Sequence, residues 1–492
     1  MKKQGLSFLR LLQYVMFLFL AVIWLICITG TAHNIVWYKE LFVTAVCLAG
    51  IFVFYLLLKR MDNFIQRHEK KLLWIFLAVF SVALYAVSAV SLNTPMYDYA
   101  DIYQAAYALA YGGEVDWHYF ALWSNNFPIF LLLAGVMKVC ALLRLSDPFY
   151  VLLGINVALT VWGGRCVYRL VRHHTGQAFW AFGGLLLYSA FLPLWSGTNY
   201  FYTDSLSLAF GVWACWKLLQ PGGKFRNGVF AGILWGIGFS MKATVAISLV
   251  AVVVVSVLLR ERALLYRAAI AFVALLLCIG AWVGIRSRFP NYELEQQYKM
   301  PLTYWLAMGV HGNGSYPENS EFAVECMNTF GLQGKKELAA AYLFEHLPEA
   351  WSAGHFVSKA RYNFASGKMG ASEFNQYPGT LMYECMNDYG AYGGYSTMLS
   401  SGYFYALLLI GMCGQLLAGN RNSGQRKDCT FEIAQFTVFG LFLFLMLWES
   451  NNRQLYNHIP WYTLYAVCGA YALAQKLTGG RNAGEKSAGE EA

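Results

Sequence analysis

The chain has 492 residues, of which 58% are hydrophobic and only 13% charged. Soluble domains carry about 25% charged residues, so this composition excludes an ordinary water-soluble globule and points to segments in lipid or buried between spans. The net charge of +9 is no nucleic-acid footprint, because the Lys and Arg excess sits in short loops beside apolar runs, as in cytoplasmic loops of membrane proteins.

Apolar runs occur at 8–30, 36–58, 72–92, 127–143, 149–171, 178–196, 203–219, 228–259, 267–286, 403–419, 433–450 and 459–475. Most are near the length that crosses a bilayer, which predicts an all-α polytopic membrane protein. The first follows Met1-Lys2-Lys3 without a small-residue cleavage site and reads as an uncleaved signal anchor. Lys2, Lys3 and Arg10 place the N-terminus inside, and Lys59, Arg60, Arg67, Lys70 and Lys71 do the same for the next basic loop. Segment 1–71 is thus two N-terminal spans with a cytoplasmic loop, and the third run exits.

The outer stretch 93–128 then carries Asp98 and Asp101, with Tyr99, Tyr103, Tyr107 and Tyr111 four apart on one helical face. That stripe suits an aromatic belt at a membrane–water interface. A full span at 127–143 would push Arg165, Arg169, Arg172, His173 and His174 to the outer side, against the charge rule. The run is short, opens at a Pro and contains Lys138, so a juxtamembrane helix that does not cross is expected, within an outer loop 93–148.

Run 228–259 has basic residues at both ends, and Lys242 interrupts its middle. Two short helices meeting at an outward-facing cleft around Ser240-Met241-Lys242 satisfy both flanks; broken backbone at that depth is tolerated where it lines a cavity. Segment 72–286 then forms one transmembrane module, 287–402 an outer domain, 403–477 the last three spans and 478–492 a disordered cytoplasmic tail. The total is about twelve spans with both termini cytoplasmic. Across 287–402 there are 7 Lys and Arg against 11 Asp and Glu, a net of −4. Helices are expected there at 321–329, 335–347 and 348–365, with turns at 311–319 and 390–396. Cys326 and Cys385 are the two cysteines of this segment, either paired or free thiols.

Charges near a membrane are expensive and commonly functional. Asp98 reads either as a general base with Asp101 one turn on, or as a helix N-cap with Asp101 at N3. Asp204, in NYFYTDSLSLAF, sits where a span re-enters and reads as a cap or a site residue. Lys242 reads as a cation for an anionic headgroup or as half of a structural ion pair. Glu449 and Arg453 have the spacing of a helical ion pair, and Arg453 equally suits a bidentate phosphate contact. Walker A, H-E-x-x-H and G-x-S-x-G motifs are absent, which removes the common ATP-driven, zinc-protease and esterase readings. His118 and His311 stand out among scattered histidines.

Asp98, Ile102, Ala105, Ala106, Gly112, Tyr119, Phe120, Asn125, Asn126 and Pro128 together resemble the first outer loop of the GT-C superfamily of polytopic glycosyltransferases. The branch most similar holds protein O-mannosyltransferases and lipid A aminoarabinose transferases. Tyr202-Thr203-Asp204 resembles that family's second acidic site, GILWGIGFSMKATVAI its lysine segment ending on Lys242 and Thr244, and WESNNRQLYNHIPWY its late Glu–Arg–Tyr element. In the last of these Gln454 follows Arg453, and the Tyr comes later, at Tyr456. The resemblance implies a GT-C bundle with a juxtamembrane helix. It implies transfer of a sugar from a polyprenyl-phosphate donor to a cell-envelope acceptor, which could be protein, teichoic acid, glycolipid or glycan. Asp98 and Asp101 are then catalytic candidates, and Asp204, Lys242, Arg453, Glu449, Tyr119 and Asn126 bind substrate. No cofactor is required, although Asp98, Asp101 and Asp204 could hold a divalent ion. A lipid-linked oligosaccharide flippase or a polysaccharide polymerase is the alternative; a transporter would be expected to show internal repeats, and none is seen.

Overall fold

The computed structural model describes residues 2–30, 37–91, 95–418 and 428–490, the side chains of 2–7 and 478–490 excepted. Among the described residues every regular element is helical. Eight helices among the described residues are long and apolar enough to cross a membrane, as an all-α membrane protein requires.

Three long helices open the chain: α1 (Lys2–Thr29), α2 (Trp37–Arg60) and α3 (Asp62–Val90). The expected basic loop at 59–71 is largely helical: helix resumes at Asp62 after Met61, kinks at His68 (φ −113°, ψ 15°) and carries Lys70 and Lys71 beyond that kink. Asp62 in the first turn favours the helix dipole, and Gln, Glu and Lys extend helices well. α4 (Tyr97–Tyr111), α5 (Trp117–Leu122) and α6 (Phe127–Leu142) follow, then α7 (Phe149–Thr175).

Two ends of the bundle differ in charge. At one, the Glu69 carboxylate of α3 meets Arg172 of α7 at 2.9 Å and accepts a hydrogen bond from Tyr168 at 2.6 Å. His174 meets Asp428 there at 2.9 Å. The two basic clusters, 59–71 and 165–174, are thereby brought together. The basic residues Arg421, Arg426 and Lys427 lie outside the described residues. At the other end, Asn199 donates to the Ser91 carbonyl at the close of α3, at 2.6 Å.

α4 and α6 run side by side from that second end. Lys138 of α6 donates to the Ala110 carbonyl of α4 at 3.0 Å, and the Tyr111 hydroxyl donates to the Leu145 carbonyl at 2.6 Å. Tyr99, near the start of α4, and Phe149, at the start of α7, both pack on Phe201, at ring distances of 6.3 and 5.4 Å. α6 therefore begins beside the start of α4 and hands over to α7 at the same end of the bundle. By length and composition the segment Ser124–Leu142 is nonetheless among the eight apolar candidates. The tyrosine stripe is not uniformly interfacial: Tyr99 is buried against Tyr200, while Tyr107 is exposed and stacks on Tyr111 at 4.3 Å.

The run 178–196 breaks into α8 (Ala178–Ser189) and α9 (Leu192–Gly197), with Pro193 in the first turn of the second. α10 (Thr203–Leu219) and α11 (Lys224–Met241) come next. The chain then leaves helical geometry at Lys242 (φ −147°, ψ 114°), passes one short 3₁₀ turn and resumes as α12 (Ile247–Leu259). The break expected at Ser240-Met241-Lys242 is present. With a rise of about 1.5 Å per residue, α11 covers about 27 Å, close to the thickness of a bilayer core. α13 (Arg262–Arg286) packs on α11, and its Arg267 donates to the Leu218 carbonyl at 2.8 Å. Both open ends of the α11–α12 pair thus lie at the basic end, and the Lys242 turn lies opposite.

The segment after α13 holds α14 (Asn291–Tyr298), α15 (Leu302–Met308), α16 (Ser320–Asn328), α17 (Leu332–Ala350), α18 (Ala353–Phe364), α19 (Ala371–Phe374) and α20 (Leu381–Met386). α16 to α18 match the three expected helices, except that α17 continues through Pro348 to Ala350. A small second core of Met300, Tyr304, Met308, Phe322 and Cys326 holds this part together. Cys326 and Cys385 are both free.

α21 (Gly393–Ala418), α22 (Thr430–Leu447) and α23 (Ile459–Glu490) close the bundle. α21 starts ten residues before its apolar run, because the polar turn expected at 390–396 is partly its first turn. α23 continues as helix to Glu490, into the tail expected to be disordered, where Ala, Glu and Lys are good helix formers. α21 and α23 touch backbone to backbone: a Cβ on Gly414 would lie 2.2 Å from the Gly469 Cα. Gly414→Val pushes these helices apart, and the expected cost is about 1–3 kcal/mol. Thermal unfolding in detergent should show a lower midpoint than Gly280→Val, where a Cβ meets nothing within 4 Å.

Candidate active site

Asp98, Tyr119, Asn126, Asp204, Lys242 and Arg453, all singled out from sequence, meet at the end of the bundle opposite the basic clusters. Asp204 is the centre. It is fully buried in the first turn of α10, and its two oxygens face two cations: Lys242 Nζ at 2.9 Å and Arg453 Nε at 3.0 Å. It is not a cap, since the N-cap position is Tyr202 and makes no side-chain cap bond. A charge buried this deeply is stable only when paired, and here one carboxylate holds two cations from different parts of the chain.

Lys242 reaches Asp204 because α11 ends one residue earlier. Its backbone N–H still donates to the Gly238 carbonyl at 2.8 Å, and extended geometry then aims its side chain across the break. Asn457 pins the same turn to α10, donating to Thr244 Oγ1 at 3.0 Å and to Ser207 Oγ at 3.3 Å.

Arg453 lies in a short 3₁₀ helix, Asn452–His458, between α22 and α23. The neighbouring asparagines build that turn. Asn451 caps it, accepting from the Arg453 N–H at 3.0 Å, while Asn452 donates to the Asn363 and Ser366 carbonyls at 2.7 and 2.9 Å. The guanidinium then spreads over three partners. Besides Asp204, its Nη1 meets Glu373 at 3.0 Å, and its plane lies over the Tyr202 ring at 4.8 Å. Burial works against its charge, but Glu373 and Asp204 hold it firmly protonated. The helical Glu449–Arg453 pair suggested by spacing does not form, because α22 stops at Leu447.

Asp98 stands beside this ion cluster in the first turn of α4, whose N-cap position is Met96 rather than Asp98. Tyr119 donates to one carboxylate oxygen at 3.1 Å and Tyr202 to the other at 3.2 Å. Asn126 donates to the Tyr119 hydroxyl at 2.9 Å, completing the network. Burial and the nearby Asp98 raise both phenols well above their ordinary range, so they remain donors. An ionised carboxylate has about four lone-pair positions; two phenols leave room for a further hydroxyl. Asp101 lies outside this network and is exposed, its carboxyl raised by partial burial and by the charges of Asp98 and Asp116. Asp98, Asp101 and Asp204 do not converge as a metal site among the described residues. Both Asp204 oxygens are already committed to cations.

Glu449 is half-buried just after α22. Burial pushes its carboxyl up to about 7, against the opposing pull of Lys242 and Arg453. Glu373 and Tyr202 are site residues that sequence reasoning did not single out for a role. Tyr202 was visible within the Tyr-Thr-Asp motif, whereas Glu373 is one of eleven acids in a polar domain and nothing in the spacing marks it. His118 lies outside the cluster, with its ring 4.8 Å from Tyr298.

The arrangement offers a hydrogen-bonded carboxylate, two cations (Arg453 buried, Lys242 partly so) on one buried counter-ion, and an acid that titrates near neutrality, all at one end of an apolar helical bundle. Compared with known proteins, the chain matches no family model, no curated protein and no solved structure.

Proposed function

We propose that this protein is a membrane glycosyltransferase of GT-C type. It would move a sugar from a polyprenyl-phosphate carrier to an acceptor hydroxyl on the extracytoplasmic face. The observation that carries the reading is the juxtaposition of Asp98, with two phenolic donors and spare acceptor positions, and the Lys242–Asp204–Arg453 cluster. The gathering of basic residues at the opposite end supports an outward-facing site by the positive-inside rule. On this reading the chain makes twelve passes, with α6 as a juxtamembrane helix and both termini cytoplasmic.

Asp98 takes the proton of the acceptor hydroxyl, and that oxygen attacks the anomeric carbon from the face opposite the phosphate. The anomeric C–O bond breaks with inversion, and polyprenyl phosphate leaves carrying the bonding pair. Lys242 and Arg453 meet the charge growing on the leaving oxygen, in a site where water competes poorly. Half-exposed Glu373 is the counter-ion that a donor phosphate displaces from Arg453. Neither a metal nor a cofactor enters these steps. Reconstituted protein given a panel of polyprenyl-phosphate hexoses should transfer sugar to an envelope extract. Failure with every donor would contradict the reading.

Glu449 gives the site a pH response of defined sign. Its carboxyl is neutral below about 7 and ionised above. Ionisation places a second negative charge beside the phosphate position, so donor KM should rise as pH increases through about 7. In Glu449→Gln the rise should flatten, while KM on the acid side stays near the wild-type value. A wild-type KM independent of pH would show that Glu449 does not face the donor.

A further inference from the structure

A second cluster lies on the outer segment, separate from the ion cluster above. His346 and Glu349 are one turn apart on α17, and His311 joins them from the turn after α15. His311 Nδ1 lies 2.7 Å and His346 Nδ1 3.6 Å from the same Glu349 oxygen, and the imidazole centroids are 4.2 Å apart. One ligand atom from each residue lies within 4.8 Å of the others, the only such trio among the described residues.

A plain hydrogen bond accounts for His311 with Glu349 but not for a second imidazole aimed at the same oxygen. The trio is also built in place. The Gly312 N–H donates to the other Glu349 oxygen at 3.0 Å, from a left-handed backbone (φ +58°) suited to glycine. The Tyr342 ring packs on His346 at 4.3 Å and on His311 at 6.0 Å. Both imidazoles open on a groove of about 400 Å³, lined also by Glu318, Glu321, Glu325 and Tyr342.

We propose that His311, His346 and Glu349 form a zinc-class metal site whose fourth position opens to this acidic groove. Two imidazoles and a carboxylate suit zinc and its neighbours, whereas magnesium and calcium prefer all-oxygen shells. Zinc bonds of about 2.0–2.2 Å put tetrahedral ligand atoms about 3.3–3.6 Å apart. The His346–Glu349 separation already fits, and the His311 contact opens by under about 1 Å as the metal replaces its bridging proton. The Gly312 N–H then orients the ligating carboxylate through its second oxygen. A three-ligand site with an open position is the form that holds a water or a ligand group, and the groove gives either one access.

The test uses the full-length protein in detergent after chelator treatment. Zinc titration by calorimetry should give one tight site per chain, and magnesium none. Cobalt should produce visible d–d bands of a four- or five-coordinate site. His346→Ala and Glu349→Gln should each weaken zinc more than about 100-fold, with metal-free melting midpoints unchanged. Zinc bound equally by wild type and both variants would overturn the proposal. So would a wild-type cobalt spectrum showing only the hydrated ion, which needs no variant to interpret.

Discussion

Asp98→Asn is expected to lower sugar transfer by about 10²–10⁴-fold, the range lost when a positioned general base is removed. The side chain keeps its shape. Tyr119 and Tyr202 lose one charged acceptor, and the amide has no lone pair basic enough to take a hydroxyl proton. Donor binding should persist, because Lys242 and Arg453 are untouched. The loss should therefore fall on kcat with KM little changed, the mark of an interaction made in the transition state. Asp101→Asn is the matched control: it is exposed and outside the hydrogen-bonded network, so its activity should remain within a few-fold of wild type. Equal losses in the two variants, measured with one donor at saturation, would remove Asp98 from the role of base.

Asp204→Ala is expected to destabilise the fold by about 3–5 kcal/mol, because it removes the counter-ion of Lys242 and leaves buried Arg453 with Glu373 alone. Lys242 and Arg453 come from different parts of the chain, and Asp204 is the one carboxylate that both reach. Thermal unfolding in detergent should show a marked fall in midpoint and a loss of folded yield. A triple change, Asp204→Leu with Lys242→Met and Arg453→Met, should recover much of the stability but none of the transfer, since apolar replacement of a buried ion cluster is often neutral. An Asp204→Ala protein as stable as wild type would mean that the cluster is solvated rather than buried. The structure gives Asp204 no exposed surface.

These two variants rest on residues legible in the sequence for different reasons. The break at Lys242 follows from a cation inside an apolar run with basic flanks, and charge arithmetic alone requires a turn there. Asp204 stands out because an acid at a span entry is costly. What the spacing could not supply was partnership. Glu449 and Arg453 have the i,i+4 separation of a helical pair, but α22 ends before Glu449, and Arg453 turns instead to Asp204 and Glu373. Glu373 is invisible beforehand because the contact joins residues 80 apart through a fold that local pattern does not encode. The same limit applies to His311, which becomes part of a trio only when α17 is laid against the turn that follows α15. Helix boundaries moved for local reasons: polar residues extend α21 beyond its apolar core and α3 as well, there across a kink at His68, as helix propensity and packing allow.

Transfer of the sugar and movement of the intact lipid are the two outcomes that matter most, and one vesicle experiment separates them. The protein is reconstituted with a polyprenyl-phosphate hexose labelled in the sugar, and an envelope acceptor extract is supplied outside. For a glycosyltransferase, polyprenyl phosphate should be released in step with labelled acceptor, and Asp98→Asn should abolish both while leaving the helical fold intact. Label appearing in the opposite leaflet as intact donor, with no polyprenyl phosphate released and no effect of Asp98→Asn, would contradict that function and identify a lipid transporter.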